Sequence, residues 1–498
     1  MTAAKVSRDP IETAAFLILL AGVFFLAIHD LSILFFPHDL IYGEGFVLRD
    51  AAMLKAGKSP YTPVGATLGV VANYPPVYPL VTALAMIPFG TGFFAGRLIS
   101  ILATAGCAYF IWRLARRGAA PDAGAVLGGA RAAVFAPLFF LADVVVYYWS
   151  PYARVDMLAL ALELAALDAF AAVVLANEAD AGSVRRALAR GIVLAILAVF
   201  TRPTALAAPA ALIAACVLGR RARISAIAAG CLAAGAALVA FLLNALTSGE
   251  FLRHTIAYNA NAFRWGEITS LLLDFVTPHA PLFVIAAAFF VLVPGGACRR
   301  LLGCYFAAAC VLALLVGKVG SSANYFLQAV AAASVLAGVA IARSEGVARR
   351  VLWVAACAGP ILFATVPFSR TLELRMNPFP AMGRTPGDDD RRAGNDVMGL
   401  VRQTQGEILI EDAGFLVRAG KTVWAAPLQL SYLEEQGLYD SAPLAAKIRR
   451  REFAAIILSY NFVSPAVRAA IGEAYRPERV IEIPRRYKYV VLRPAPAG

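Results

Sequence analysis

The chain has 498 residues, of which 60% are hydrophobic and 15% charged, and its mean hydropathy is +0.71. No soluble core absorbs that much apolar surface, so the composition excludes a soluble globular protein and points to a bilayer as solvent for most side chains. The net charge of +13 is not a nucleic-acid signature, because Lys and Arg gather in short segments between apolar runs, as the positive-inside rule expects.

In chain order, the apolar runs predict spans at Ile11–Ile28 (extending toward Phe36), Phe93–Trp112, Val134–Tyr148, Val155–Leu175, Gly191–Leu218, Ile224–Leu246, Pro281–Val293, Leu301–Val316, Tyr325–Ala342 and Val351–Val366. Lys5 and Arg8 precede the first run, but no small-residue cleavage site follows it, so a retained helix is expected rather than a signal peptide. Gly191–Leu218 is interrupted by Thr201-Arg202-Pro203-Thr204 and flanked by Arg185, Arg186 and Arg190 before it and Arg220, Arg221 and Arg223 after it. Both ends should then be cytoplasmic, and the run must turn back at Arg202-Pro203. Counting a hairpin there gives about 11 spans, with the N-terminus inside and the C-terminus outside. The basic clusters then fall on one side. The loops 36–92, 149–154, 201–204, 247–280 and 317–324 fall on the other.

Beyond this membrane domain (1–367) the composition becomes polar, which reads as a linker over 368–399. Residues 400–498 carry short β-like runs at Glu407–Glu411, Lys421–Trp424, Ala454–Ser459 and Lys488–Leu492, and predict an extracytoplasmic α/β domain of about 100 residues. The expected fold class is therefore mainly α, a polytopic helical membrane protein with a small C-terminal α/β domain. All seven cysteines lie in apolar segments without a CxxC pair, which argues against disulfides and zinc.

Ionisable groups at a bilayer are costly, so those in the outer loops are functional candidates. The first loop carries Asp39 and, in Tyr42-Gly43-Glu44-Gly45, Glu44. A carboxylate in a partly desolvated cleft can act as general base on a sugar hydroxyl; the alternative is an acid facing water. Arg154 and Asp156 stand where the fourth run begins. Asp156 is either a helix cap or a chemical group, and Arg154 can bind phosphate or orient it. Arg202 sits at the hairpin apex, opposite the basic clusters, where phosphate binding and an internal pair with Glu163 or Asp168 are both open. Lys318 lies among glycines and hydroxyls that could wrap an anion, with snorkelling as the alternative. The loop His254–Trp265, with Arg264, suits sugar binding, and Trp265 suits an interfacial aromatic belt. The four histidines (29, 38, 254 and 279) show no metal-type spacing.

These features occur with several short motifs. Glu44-Gly45 leads through Ala51 or Ala52 to Gly57, Ser59, Pro60 and Tyr61, then to Tyr74-Pro75-Pro76-Val77-Tyr78-Pro79 and Arg97-Leu98-Ile99-Ser100; Thr201–Thr204 and Gly320–Phe326 follow. In order and spacing they resemble the GT-C glycosyltransferases, and among them the bacterial dolichyl-phosphate-mannose-protein mannosyltransferase-like and lipid A aminoarabinose transferase group.

The resemblance implies an inverting enzyme in a bacterial inner membrane, with cytoplasmic N-terminus and periplasmic active site and C-terminal domain. It implies a polyprenyl-phosphate-linked sugar donor and a cell-envelope lipid, glycan or protein acceptor. It further implies Glu44, with Asp39 in reserve, as base and Asp156 as a second acid. Arg202, then Lys318 and Arg264, would bind the lipid phosphate, and Arg154, Tyr74, Asn324 and Tyr325 complete the substrate-binding set. The chain departs from the group at Gly43, where many members carry an acid beside the glutamate. No metal is assigned, although Asp39, Glu44 and Asp156 leave a divalent cation such as Mg or Mn open. The rival readings are a transporter or flippase of lipid-linked sugars and an O-antigen ligase or polymerase. The first lacks a visible internal repeat, and the second usually places its large loop late in the chain.

Overall fold

The computed structural model describes residues 9–65, 69–119, 133–176, 181–365, 383–483 and 487–496. Its membrane portion runs through α1 (Pro10–Leu34), α2 (Glu44–Lys55), α3 (Val77–Phe89), α4 (Phe93–Ala119), α5 (Phe135–Leu141), α6 (Val144–Trp149), α7 (Asp156–Leu175), α8 (Ala181–Val199), α9 (Ala207–Leu218), α10 (Ala222–Leu246), α11 (Glu250–Thr255), α12 (Trp265–Leu292), α13 (Ala297–Ala313), α14 (Leu327–Arg343) and α15 (Gly346–Thr365). Among the described residues, 8 helices are long and apolar enough to cross a bilayer, and Val77–Phe89 and Ala207–Leu218 are shorter apolar helices. The chain is a multi-pass membrane protein. α14 is buried along nearly its whole length and forms the centre; α10 is hardly buried and faces outward.

The hairpin expected in Gly191–Leu218 is present. α8 ends at Val199 and α9 starts at Ala207, so Arg202 stands at the turn. Three expectations shift. Val134–Tyr148 is not one helix but two, because Asp143 starts a new one by accepting from the Val145 amide at 2.8 Å. α12 starts at Trp265 instead of Pro281 and carries Pro278 and Pro281 inside, so the outer loop expected over 247–280 is correspondingly shorter. Packed neighbouring helices make such prolines tolerable. The stretch expected as one loop, 36–92, contains two helices, α2 and α3, the second of them apolar.

The linker expected over 368–399 lies outside the described residues as far as 382. Its remainder includes a helix, α16 (Asp388–Gln403), capped by Asp390 accepting from the Gly387 amide at 2.6 Å. Next come β1 (Glu407–Ile410), α17 (Ala413–Arg418), α18 (Pro427–Glu435), α19 (Ala442–Arg449), β2 (Phe453–Leu458), α20 (Pro465–Ala474), β3 (Tyr475–Ile483) and β4 (Tyr487–Pro494). The sheet order is β1-β2-β4-β3, with β1 parallel to β2 and the other pairs antiparallel. The strand expected at Lys421–Trp424 does not form. That segment instead leads into an isolated bridge from Ala425 to Gly69 of the first loop. β3 was not foreseen, since its run of exposed polar residues hides the alternation.

The α/β domain is not separate from the membrane portion. Tyr42, Phe46 and Val70 of the first loop share one core with Ile408, Ile410, Phe415, Ile457 and Val491. The Gly69 amide donates to the Trp424 carbonyl and the Ala426 amide to the Gly69 carbonyl, each at 2.9 Å. The domain therefore roofs the first loop, and the cavity beneath is the functional candidate.

Candidate functional site

A cavity of about 430 Å³ lies between the helix ends and the roof. Gly43, Phe46, Val47 and Asp50 supply one wall, and their spacing places them on one face of α2. The hairpin turn supplies Arg202, and the segment 318–325 supplies Lys318, Asn324 and Tyr325. Asn73, Tyr74 and Arg154 come from the first and second loops, Tyr258 and Asn259 from the loop after α11, and Leu428, Gln429 and Tyr432 from the roof.

The hairpin turn and the 318–325 segment meet through one ion pair. Arg202 Nη1 lies 3.0 Å from Asp156 Oδ1 and donates to the Asn324 carbonyl at 3.2 Å. Asn324 Nδ2 donates to the same Asp156 oxygen at 2.8 Å, and the Tyr325 ring stacks 4.5 Å from the guanidinium carbon. Asp156 Oδ2 is buried without a hydrogen-bond partner. Lys318 is anchored through its backbone by the bridge to Phe263. Burial, and the nearby Arg202 charge, push its ammonium below the ordinary lysine pKa, so an arriving anion would stabilise it.

At the α2 wall, Arg49 Nη1 donates to Asp50 Oδ1 at 2.9 Å and to the Pro60 carbonyl at 3.2 Å. Asp50 Oδ2 takes no hydrogen bond among the described residues. Burial raises the Asp50 carboxyl to about 6, with the Arg49 charge working against the rise. It is therefore a carboxylate half-ready to hold a proton near neutral pH.

No protein-family model matches the chain, and no curated protein matches it by sequence. Solved structures do. ArnT from Cupriavidus metallidurans bound to undecaprenyl phosphate superposes with a TM-score of 0.65 at 14% identity, over 95% of this chain and 97% of that one. The chain has the ArnT fold. The apo oligosaccharyltransferase of Archaeoglobus fulgidus gives 0.52 at 13% identity, over 95% of this chain and 74% of that one. At these identities the likeness is one of fold, and the expected GT-C architecture holds.

Within the ArnT fold, six of the residues singled out from sequence line the cavity together: Tyr74, Arg154, Arg202, Lys318, Asn324 and Tyr325. Asp156 stands behind them, joined through Arg202. Three others do not reach it. Glu44 is fully buried against Arg97, which donates Nε to Oε1 at 2.9 Å and Nη2 to Oε2 at 2.8 Å; the Ala153 amide adds a bond at 2.8 Å. That carboxylate is satisfied on both oxygens and does not line the cavity. Asp39 is buried under the roof against Gly414 and Asp412, and Arg264 is exposed and does not line the cavity, although its charge reaches Tyr432 at the rim. The internal pair considered for Arg202 forms with neither acid named for it. Asp168 takes Arg113 and Arg117 at 2.9 and 2.8 Å, and Glu163 takes Gln328 Nε2 at 2.6 Å.

Asp39, Glu44 and Asp156 form no shared ligand set, and no other group of His, Cys, Asp or Glu among the described residues is arranged for a metal. Sequence reading passed over Asp50 as a site residue, although its position two turns beyond Gly43 and one beyond Phe46, on the cavity face of α2, was open to inspection. Gln429 and Tyr432 carried no local signal, because their contacts span most of the chain.

Proposed function

We propose that the chain is an inverting membrane glycosyltransferase that moves a sugar from a polyprenyl-phosphate donor to a hydroxyl acceptor at the outer face of a bacterial inner membrane. The observation that carries this reading is the convergence of Arg202 and Lys318 with Asp50 on one cavity at the helix ends. The ArnT structure of the same fold holds undecaprenyl phosphate, which supports a polyprenyl-phosphate donor here.

Arg202 and Lys318 take the phosphate, and Asp156 together with Tyr325 fixes the guanidinium for that task. Asp50 is the base. The charge bearing on it is Arg49, not the phosphate cations, which suits a carboxylate acting from the other side of the sugar. It removes the acceptor hydroxyl proton. The acceptor oxygen then bonds to the anomeric carbon as the carbon–oxygen bond to phosphate breaks, and the polyprenyl phosphate leaves with the electron pair. Asp156 is thus a positioning residue, and the roof excludes water from the transfer.

The test is binding of decaprenyl phosphate to the purified full chain in detergent. Wild type should bind it, and Arg202→Ala should lose affinity by about tenfold or more, the worth of a charged hydrogen-bonded contact. Equal affinity in the two proteins would refute the assignment.

A further inference from the structure

The cavity holds more positive charge than one lipid phosphate diester requires. Arg202 is matched by Asp156, and Asp50 by Arg49. Lys318 and Arg154 have no carboxylate in ion-pair reach among the described residues. Lys318 suffices for the single charge of a sugar-phosphate diester. Arg154 is left over.

Arg154 is built into the wall rather than reaching in from the surface. Its Nη2 donates to Tyr74 Oη at 2.7 Å and its Nη1 to the Tyr42 carbonyl at 3.4 Å. The Tyr74 and Trp149 rings lie 5.4 and 5.8 Å from the guanidinium carbon. Nε is buried without a hydrogen-bond partner. Position 43 is cleared for this side chain: Gly43 has φ +105°, and a Cβ there would overlap the guanidinium. Every group that holds Arg154 is neutral. A guanidinium in a cavity wall, held by neutral groups and with donors to spare, is a seat for an anion.

We propose that Arg154 forms a second anion subsite for a carboxylate, so that the transferred sugar or its acceptor is a sugar acid of the hexuronate type. This rests on the glycosyl-transfer reading. Arg202 and Lys318 take the lipid phosphate while Arg154, beside Gly43 and Trp149, takes the carboxylate in bidentate fashion. The neutral hexoses lack a partner for it and leave the guanidinium uncompensated.

Fluorescence of Trp149, next to Arg154, gives a readout for the purified full chain. The probes are decaprenyl phosphate, decaprenyl-phosphoglucose, decaprenyl-phosphoglucuronate and free glucuronate. If the donor carries the carboxylate, wild type binds the glucuronyl donor about tenfold or more tighter than the glucosyl donor. Arg154→Gln levels the two, Arg154→Lys keeps part of the difference, and decaprenyl phosphate binding stays unchanged in both. If the acceptor carries it, the two donors bind alike, and free glucuronate binds wild type but not Arg154→Gln. Equal donor affinities together with no glucuronate binding overturn the proposal. So does an Arg154→Gln protein that loses decaprenyl phosphate as fully as Arg202→Ala, since Arg154 then belongs to the phosphate. Failure of the transfer reading shows separately, as wild type that does not bind decaprenyl phosphate; the glucuronate arm then decides the subsite alone.

Discussion

Arg97 grips Glu44 through two parallel hydrogen bonds, and neither side chain is exposed to solvent. The same guanidinium bonds the carbonyls of Ile33, Phe36 and His38. One arginine on α4 therefore holds both the end of α1 and the start of α2, and so sets the wall that carries Asp50. The most conspicuous acid of the first loop is a fastener.

Glu44→Gln leaves the Arg97 charge buried without its counter-charge, a loss of about 3–5 kcal/mol. Thermal denaturation in detergent should show a marked drop in midpoint and a fall in the yield of folded protein. A variant as stable as wild type that binds donor but has lost transfer would return Glu44 to the chemistry.

Asp50→Asn should lower transfer by about a hundredfold or more while donor binding is kept. The pH profile gives a second check. Only the carboxylate can take the proton, so wild-type transfer should fall as pH drops through about 6 and level off above it. Full activity in Asp50→Asn, or a flat profile across that range, would remove Asp50 from the base role.

Asp156 acts through Arg202. Asp156→Asn should weaken decaprenyl phosphate binding, and Asp156→Asn combined with Arg202→Ala should be no worse than Arg202→Ala alone. Additive losses in that double-mutant cycle would show that Asp156 contributes by itself.

Asp39 and Asp412 face each other beneath the roof. Burial, and then the neighbouring carboxylates, raise both above the ordinary 3.8. For acids raised in the folded state, folding favours the protonated forms. Stability is therefore complete below the ordinary value and declines as pH rises from about 4 through the raised values. The thermal midpoint of wild type should fall with rising pH, and Asp412→Asn should flatten that fall. A midpoint with equal pH dependence in both proteins would exclude the pair as its source.

Much of the membrane architecture was legible because its signals are local. Apolar length gives the spans, and the arginines flanking 191–218 point to the hairpin that puts Arg202 at a turn. The cations and aromatics of the site were legible for the same reason, since a charge at a helix end on the wrong side of the pattern needs a cause. The acids were not. Whether a loop carboxylate meets a cavity or a buried guanidinium depends on which distant side chain faces it. Glu44 and Arg97 lie 53 residues apart. Asp39 is covered by residues from the other end of the chain, and no period or spacing encodes that.

Tyr42 is where the roof is fastened. Its hydroxyl donates to Gln429 Oε1 at 3.1 Å and accepts from the Leu428 amide at 3.1 Å, and Gln429 lies 387 residues further on. The consequence concerns timing during synthesis. Every cation of the site is made and inserted before the roof exists, so a growing chain has the charges of the pocket but no closed pocket. Tyr42 and Phe46 must meanwhile stay exposed and wait for their apolar partners, which makes this the interval of greatest exposure to misassembly. A chain cut short before residue 425 has Arg154, Arg202 and Lys318 in place and no roof to close the chamber over them.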